Sequence, residues 1–273
     1  MELSPEALAT LRFYQDAGVE TAESLEPGAL WGWTGPSPTK PRKPAAPADT
    51  VKPTVKAGAV SASADEALRA AESLAASCQD LDALLAAIAG FEGCPLREAA
   101  RGPVIYDGVL GADVLVMGEA PGREEDQQGK PFVGRSGQLL DRMLASIGLS
   151  RAPSEDQRAV AISNVVYWRP PGNRNPTPAE LAVCLPFARR FIALSKPKLV
   201  LTAGKVPTEA FFPDASSITR ARGKWRMLDA GDGVQVPALP IFHPAFLLRQ
   251  PAQKRWAWRD LLSVQSKLNE TLS

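Results

Sequence analysis

The chain has 273 residues, 45% of them hydrophobic and 22% charged, the balance of a soluble globular protein. No apolar run is long enough to cross a bilayer, and three irregularly spaced cysteines (Cys78, Cys94, Cys184) do not suggest a disulfide framework. Net charge is only +1, but residues 101–273 carry 23 Lys/Arg against 16 Asp/Glu, and Ile218 to Arg259 holds eight bases against two acids. A basic face of this kind suits phosphate binding, and a solvated Arg-rich surface is the bland alternative.

In chain order, Ser4 to Ala17 reads as a helix with Leu8, Leu11 and Tyr14 on one face. The segment before Leu11 has two acids and no basic stretch, so a secretory signal is not expected and the cytoplasm is. Residues 35–64 hold six prolines and no aromatic, a composition that buries no core and predicts a linker. The expected division is therefore an N-terminal helical segment (1–34), a Pro/Ala-rich disordered linker (35–64) and a single catalytic-sized domain (65–273).

Within that domain, 67–91 reads as one helix or two. Short apolar strands are expected at 113–117, 160–166, 198–202 and 238–242, separated by helices at 136–147, 178–194 and 206–212 and closed by one at 252–268. Alternation of this kind predicts a three-layer α/β/α fold with a central four-stranded parallel sheet.

Ligands of such sheets bind beyond the carboxyl ends of the strands, and each expected strand here runs straight into polar or glycine-rich chemistry. The first leads to Gly118-Glu119-Ala120-Pro121-Gly122, the second ends near Asn164, the third leads to Gly204-Lys205, and the fourth delivers His243-Pro244-Ala245. Four strands thus aim at one rim. His243, the only histidine, is a candidate donor to developing negative charge. Glu119 is a candidate for activating water or stabilising a cationic sugar. Phe132, inside the glycine-rich loop 129–137, is either a core plug or a stacking platform for a base. That loop lacks the spacing of a P-loop or a dinucleotide fingerprint.

Four blocks in this order carry a family resemblance: GEAPGREEDQQGKPFVGRSGQLLDRML, SNVVYWRPPGNRNPTPAE, ITRARGKW and HPAFLLR. Together they resemble the family-4 uracil-DNA glycosylases, over about Gly93 to Leu262. The resemblance implies a monofunctional enzyme that flips uracil out of single- or double-stranded DNA and hydrolyses its bond to the sugar, leaving an abasic site. It implies Glu119 and His243 as catalytic groups, and Gly118, Ala120, Phe132 and Asn164 as the uracil pocket. Leu247, Leu248 and Arg249 resemble the wedge that fills the hole left by the base. Lys205, Arg222 and Lys224 are expected phosphate contacts. A monomer is expected. The competing readings are a non-catalytic binder of uracil or abasic DNA, and a different nucleotide-processing α/β enzyme.

The resemblance breaks at one place. Typical members hold a 4Fe–4S cluster on four cysteines. Here Cys94 and Cys184 match two of those positions, but Phe91 and Trp168 stand at the other two. Two thiolates do not hold such a cluster unaided, so no metal and no cofactor is expected, with Phe91 and Trp168 packing as an apolar plug.

Overall fold

A computed structural model describes residues 57–272. The N-terminal helix expected at Ser4–Ala17 and most of the expected linker lie outside the described residues. The first helix, α1 (Ala57–Ser77), reaches back into the stretch expected to be linker. It is followed by α2 (Leu81–Gly90), so 67–91 is two helices rather than one. Asp80 makes the break: its carboxylate accepts the Ala83 N–H at 2.8 Å and starts α2 afresh.

The sheet is built around β2 (Val114–Gly118), β4 (Arg158–Asn164), β5 (Leu199–Ala203) and β7 (Gln235–Ile241). These four run parallel in the order β4-β2-β5-β7, the expected core of the sheet. Three short strands complete seven. β1 (Tyr106–Gly108) and β6 (Arg226–Asp229) lie antiparallel along the two outer edges, and β3 (Leu149–Ser150) pairs beside β4. They have too few residues to show a period of two, and β1 and β6 serve to cover edges that would otherwise offer unpaired backbone groups.

Side-chain alternation in the strands divides the interior into two cores. Leu115, Met117, Ala161 and Val200 face α1, α2 and α5 (Pro178–Ser195), where Leu84, Ile88, Phe187 and Phe191 pack. Val114, Val116, Ile162, Leu199 and Leu201 face α4 (Arg135–Ala145) and α9 (Lys254–Leu272), where Leu140, Trp258 and Leu261 pack. This is the three-layer α/β/α arrangement. The remaining helices are short: α3 (Arg123–Gln128), α6 (Lys205–Phe211), α7 (Ile218–Ala221) and α8 (Pro244–Arg249). All four follow strand ends or loops on the rim where the polar turns gather. α5 starts with Thr177, whose hydroxyl accepts the Glu180 N–H while the Glu180 carboxylate accepts the Thr177 N–H, a reciprocal cap with Pro178 in the first turn.

Candidate active site

A cleft of about 660 Å³ opens at the carboxyl ends of β2, β4, β5 and β7. Glu119, Ala120, Phe132, Asn164, Lys205, His243 and Arg249 all line it. Residues separated by more than a hundred positions therefore share one wall, because parallel strands bring their ends to the same side.

Gly118 and Asn164 are register partners at the ends of β2 and β4. A Cβ on Gly118 would lie 2.3 Å from Asn164 Oδ1 and 2.5 Å from Phe132 Cε2. The missing side chain is thus what lets the amide and the ring approach each other. Gly118→Ala is expected to abolish productive substrate binding while the melting temperature changes little, because the clash falls on pocket side chains rather than on backbone. Enzyme titration with a uracil-containing duplex, beside a thermal melt, checks this; an unimpaired variant would refute the close packing.

Phe132 holds φ at 55°, in the left-handed region that a bulky residue rarely adopts. Three devices hold it there. Arg151 donates to the Pro131 carbonyl at 2.9 Å and to the Phe132 carbonyl at 3.0 Å, while pairing with Asp107 and Asp141. Burial alone would raise the Asp107 carboxyl, but hydrogen bonds from Arg151 and Lys130 outweigh it and hold the group below its ordinary value. Gly137 leaves room for the Phe132 carbonyl, which a Cβ would meet at 1.7 Å. Finally, Glu125 accepts the Val133 and Gly134 N–H groups at 3.0 and 3.1 Å and the Gly122 N–H at 3.1 Å. One carboxylate thereby fastens the turn after β2 to the loop that presents Phe132.

His243 leaves β7 and starts α8. Its Nδ1 accepts the Ala245 N–H at 3.1 Å, which assigns the ring proton of the neutral form to Nε2. Desolvation, with Arg249 nearby, pushes its pKa down from 6.5 to about 4, against a smaller opposing pull from Glu125. The imidazole is therefore neutral at physiological pH. Its ring stacks on Phe132 with centroids 5.5 Å apart and planes 28° apart. Gly204 (φ 106°) lies under His243, where a Cβ would be 3.0 Å from that of the histidine. Burial raises the Glu119 carboxyl above its ordinary 4.5.

Two expected DNA contacts need correcting. Leu247 is fully buried among the side chains between the sheet and α4 and α9; it anchors α8 and is no wedge. Arg222 is absent from the cleft wall. Its guanidinium forks onto the buried Asp260 and donates to the Trp256 carbonyl at 3.1 Å, between the rings of Phe242 and Trp256. It ties α7 to α9. Leu248 is half-buried at the rim, while Arg249, Lys205 and Lys224 are exposed, Lys205 beside Glu209 at 3.8 Å. Sequence reasoning missed Glu125, Ser136, Asn173 and Phe246, which also line the cleft. Glu125 had one signal, its place three residues beyond Gly122 at a helix start.

On the far face of the sheet, Cys94 and Cys184 lie with their sulfurs 3.9 Å apart, both buried. Phe91 packs edge-on against Phe187 at 5.0 Å. Trp168 is fully buried beside Tyr167, whose backbone meets the Cys184 thiol. Among the described residues no group of three or more His, Cys, Asp or Glu is placed to hold a metal. The donor set here does not fit a four-cysteine cluster: two thiols, Cys94 and Cys184, lie together, and Phe91 and Trp168 offer no thiolate.

A cleft at the ends of parallel strands, with a neutral histidine, a half-buried carboxylate, an amide and a stacking ring, matches a known class. The family model for the uracil DNA glycosylase superfamily covers residues 106–262. The type-4 uracil-DNA glycosylase of Pyrobaculum aerophilum is 35% identical over 186 residues, 67% of this chain and 91% of the relative. That of Archaeoglobus fulgidus is 36% identical over 177 residues, 63% and 85%. That of Thermotoga maritima is 41% identical over 158 residues, 57% and 77%. The chain belongs to the type-4 uracil-DNA glycosylases.

Proposed function

We propose that the chain excises uracil from DNA by hydrolysing the N-glycosidic bond, leaving an abasic site. The observation that carries this reading is the neutral His243, its proton fixed on Nε2 by the Ala245 N–H, in one cleft with Glu119, Phe132 and Asn164. The flipped base stacks on Phe132. The Asn164 amide offers one acceptor and one donor, the complement of uracil N3–H and O4. As the bond to the sugar stretches, negative charge grows on the base and the His243 N–H stabilises it at O2. Positive charge grows on the sugar, where the Glu119 carboxylate faces it and orients the attacking water.

Leu248 and Arg249, the last two residues of α8, fill the gap in the base stack. Lys205 and Lys224 meet backbone phosphates. One chain supplies every group in this scheme, which supports a monomer. Three free thiols fit a reducing compartment such as the cytoplasm.

An oligonucleotide carrying one uracil, incubated with the protein and then treated with hot alkali, is expected to break at that position. An intact strand that is nonetheless retarded on a native gel would make the protein a binder instead. The rate should be flat between about pH 6 and 8, because His243 is already neutral there. Below that range it should fall as Glu119 takes up a proton, which removes the charge facing the sugar, and the fall should start above the ordinary glutamate value of 4.5. An inflection near 6.5 would mean that His243 titrates as a free imidazole, against its surroundings.

A further inference from the structure

The position that holds a cluster in the resembling family is filled here by packing, and two thiols remain in contact within it. Cys94 lies on the irregular stretch between α2 and the turn at Arg97–Ala99, and Cys184 lies inside α5. Their sulfurs are 3.9 Å apart, across 90 residues of sequence. A disulfide needs about 2 Å, a closure within reach of side-chain rotation and a small shift of the irregular stretch. The surroundings differ in a way that orders the chemistry. Cys94 is itself buried, but its neighbours Glu92 and Pro95 are exposed, so local opening of a short segment uncovers it. Cys184 sits mid-helix behind Phe187 and Phe191 and is wholly enclosed.

Cys78 is a different case. Its thiol donates to the Leu74 carbonyl at 3.2 Å, and its own carbonyl accepts from Arg190. Its place at the end of α1 is set by these bonds.

We propose that Cys94 and Cys184 are a redox pair that closes to a disulfide on two-electron oxidation, at a position where Phe91 and Trp168 exclude iron. With hydrogen peroxide as oxidant, the Cys94 sulfur attacks one peroxide oxygen, and the thiol proton passes to the departing oxygen. The O–O bond breaks, the sulfur is oxidised to a sulfenic acid, and the other oxygen leaves as water. The Cys184 sulfur then displaces the hydroxyl from Cys94, the S–S bond forms, and a second water leaves. Two thiols and one peroxide give one disulfide and two waters. The bond staples the stretch after α2 to α5 and closes a loop of 90 residues, a length at which a cross-link restricts the unfolded chain strongly. It lies across the sheet from the His243 cleft, so oxidation tightens the scaffold without entering the chemistry.

The test uses the full chain carrying Cys78→Ser, so that only one pair is possible. Hydrogen peroxide treatment should lower the intact mass by two hydrogens, and peptide mapping without reductant should find Cys94 joined to Cys184. The melting temperature should rise by roughly 5–15 °C and return to its starting value with a phosphine reductant. A Cys94→Ser variant should show neither change. Two free thiols titrating in denaturant after peroxide, or oxygen added to Cys94 with no cross-link, would overturn the proposal. So would anaerobic treatment with ferrous iron and sulfide that loads about four irons per chain. None of these readouts depends on uracil excision, so the redox pair and the enzymatic reading stand or fall separately.

Discussion

Replacing His243 with alanine lowers the single-turnover rate of uracil release by ~10²–10³, the effect of removing one well-aimed donor from a developing anion. The loss is electrostatic rather than structural. His243 caps α8 by accepting one N–H from Ala245, a contribution of about 1 kcal/mol, small beside the two cores under the sheet. His243→Asn separates the two roles. Its shorter side chain still has an oxygen to cap the helix, but it places no donor where Nε2–H stood. That variant should melt like the wild type and still react slowly. Rapid-quench assays with enzyme in excess, run beside thermal melts, give both numbers. A variant that cleaves at the wild-type rate would remove His243 from the mechanism and leave the neutral imidazole without a purpose.

Replacing Asn164 with alanine should slow uracil release by ~10²–10⁴. Asn164 is 2% exposed at the end of β4. A base that enters the pocket therefore loses water from its N3–H and O4 and must find protein partners. Without the amide, two desolvated polar groups are left unmatched, each costing about 1–3 kcal/mol. The same change should narrow the preference for uracil over cytosine, since an apolar wall penalises both bases alike. Steady-state assays on the uracil strand, with abundant cytosine-containing competitor, measure both effects. Unchanged competition together with an unchanged rate would mean that the base is read elsewhere.

Much of the site was legible because strand ends are legible. Val114–Gly118 and Leu199–Ala203 are short apolar runs ending at glycine or small residues, and the chain's one histidine follows the fourth such run. Parallel topology does the rest, since it places those ends together whatever the loops contain. The corrections come where meaning depends on a partner remote in sequence. Arg222 reads as a free cation beside other basic residues, but Asp260, 38 positions on, claims it. Leu247 sits in a six-residue helix, too short for its buried face to show as a period. Glu125 looks like an ordinary helix-start acid, and its second task of holding Val133 and Gly134 appears only when the two loops meet. The edge strands were silent because their pairing is imposed by β4 and β7 rather than by their own composition.

The four strands that form the rim are contributed by widely spaced stretches: 114–118, 158–164, 199–203 and 235–241. No fragment of the chain contains a working share of the pocket, and no partly folded form missing one strand retains it. Loss of activity in denaturant should therefore track the loss of the whole sheet. A partly unfolded molecule would be silent on DNA instead of carelessly active, and bases would be removed only by molecules whose architecture is complete.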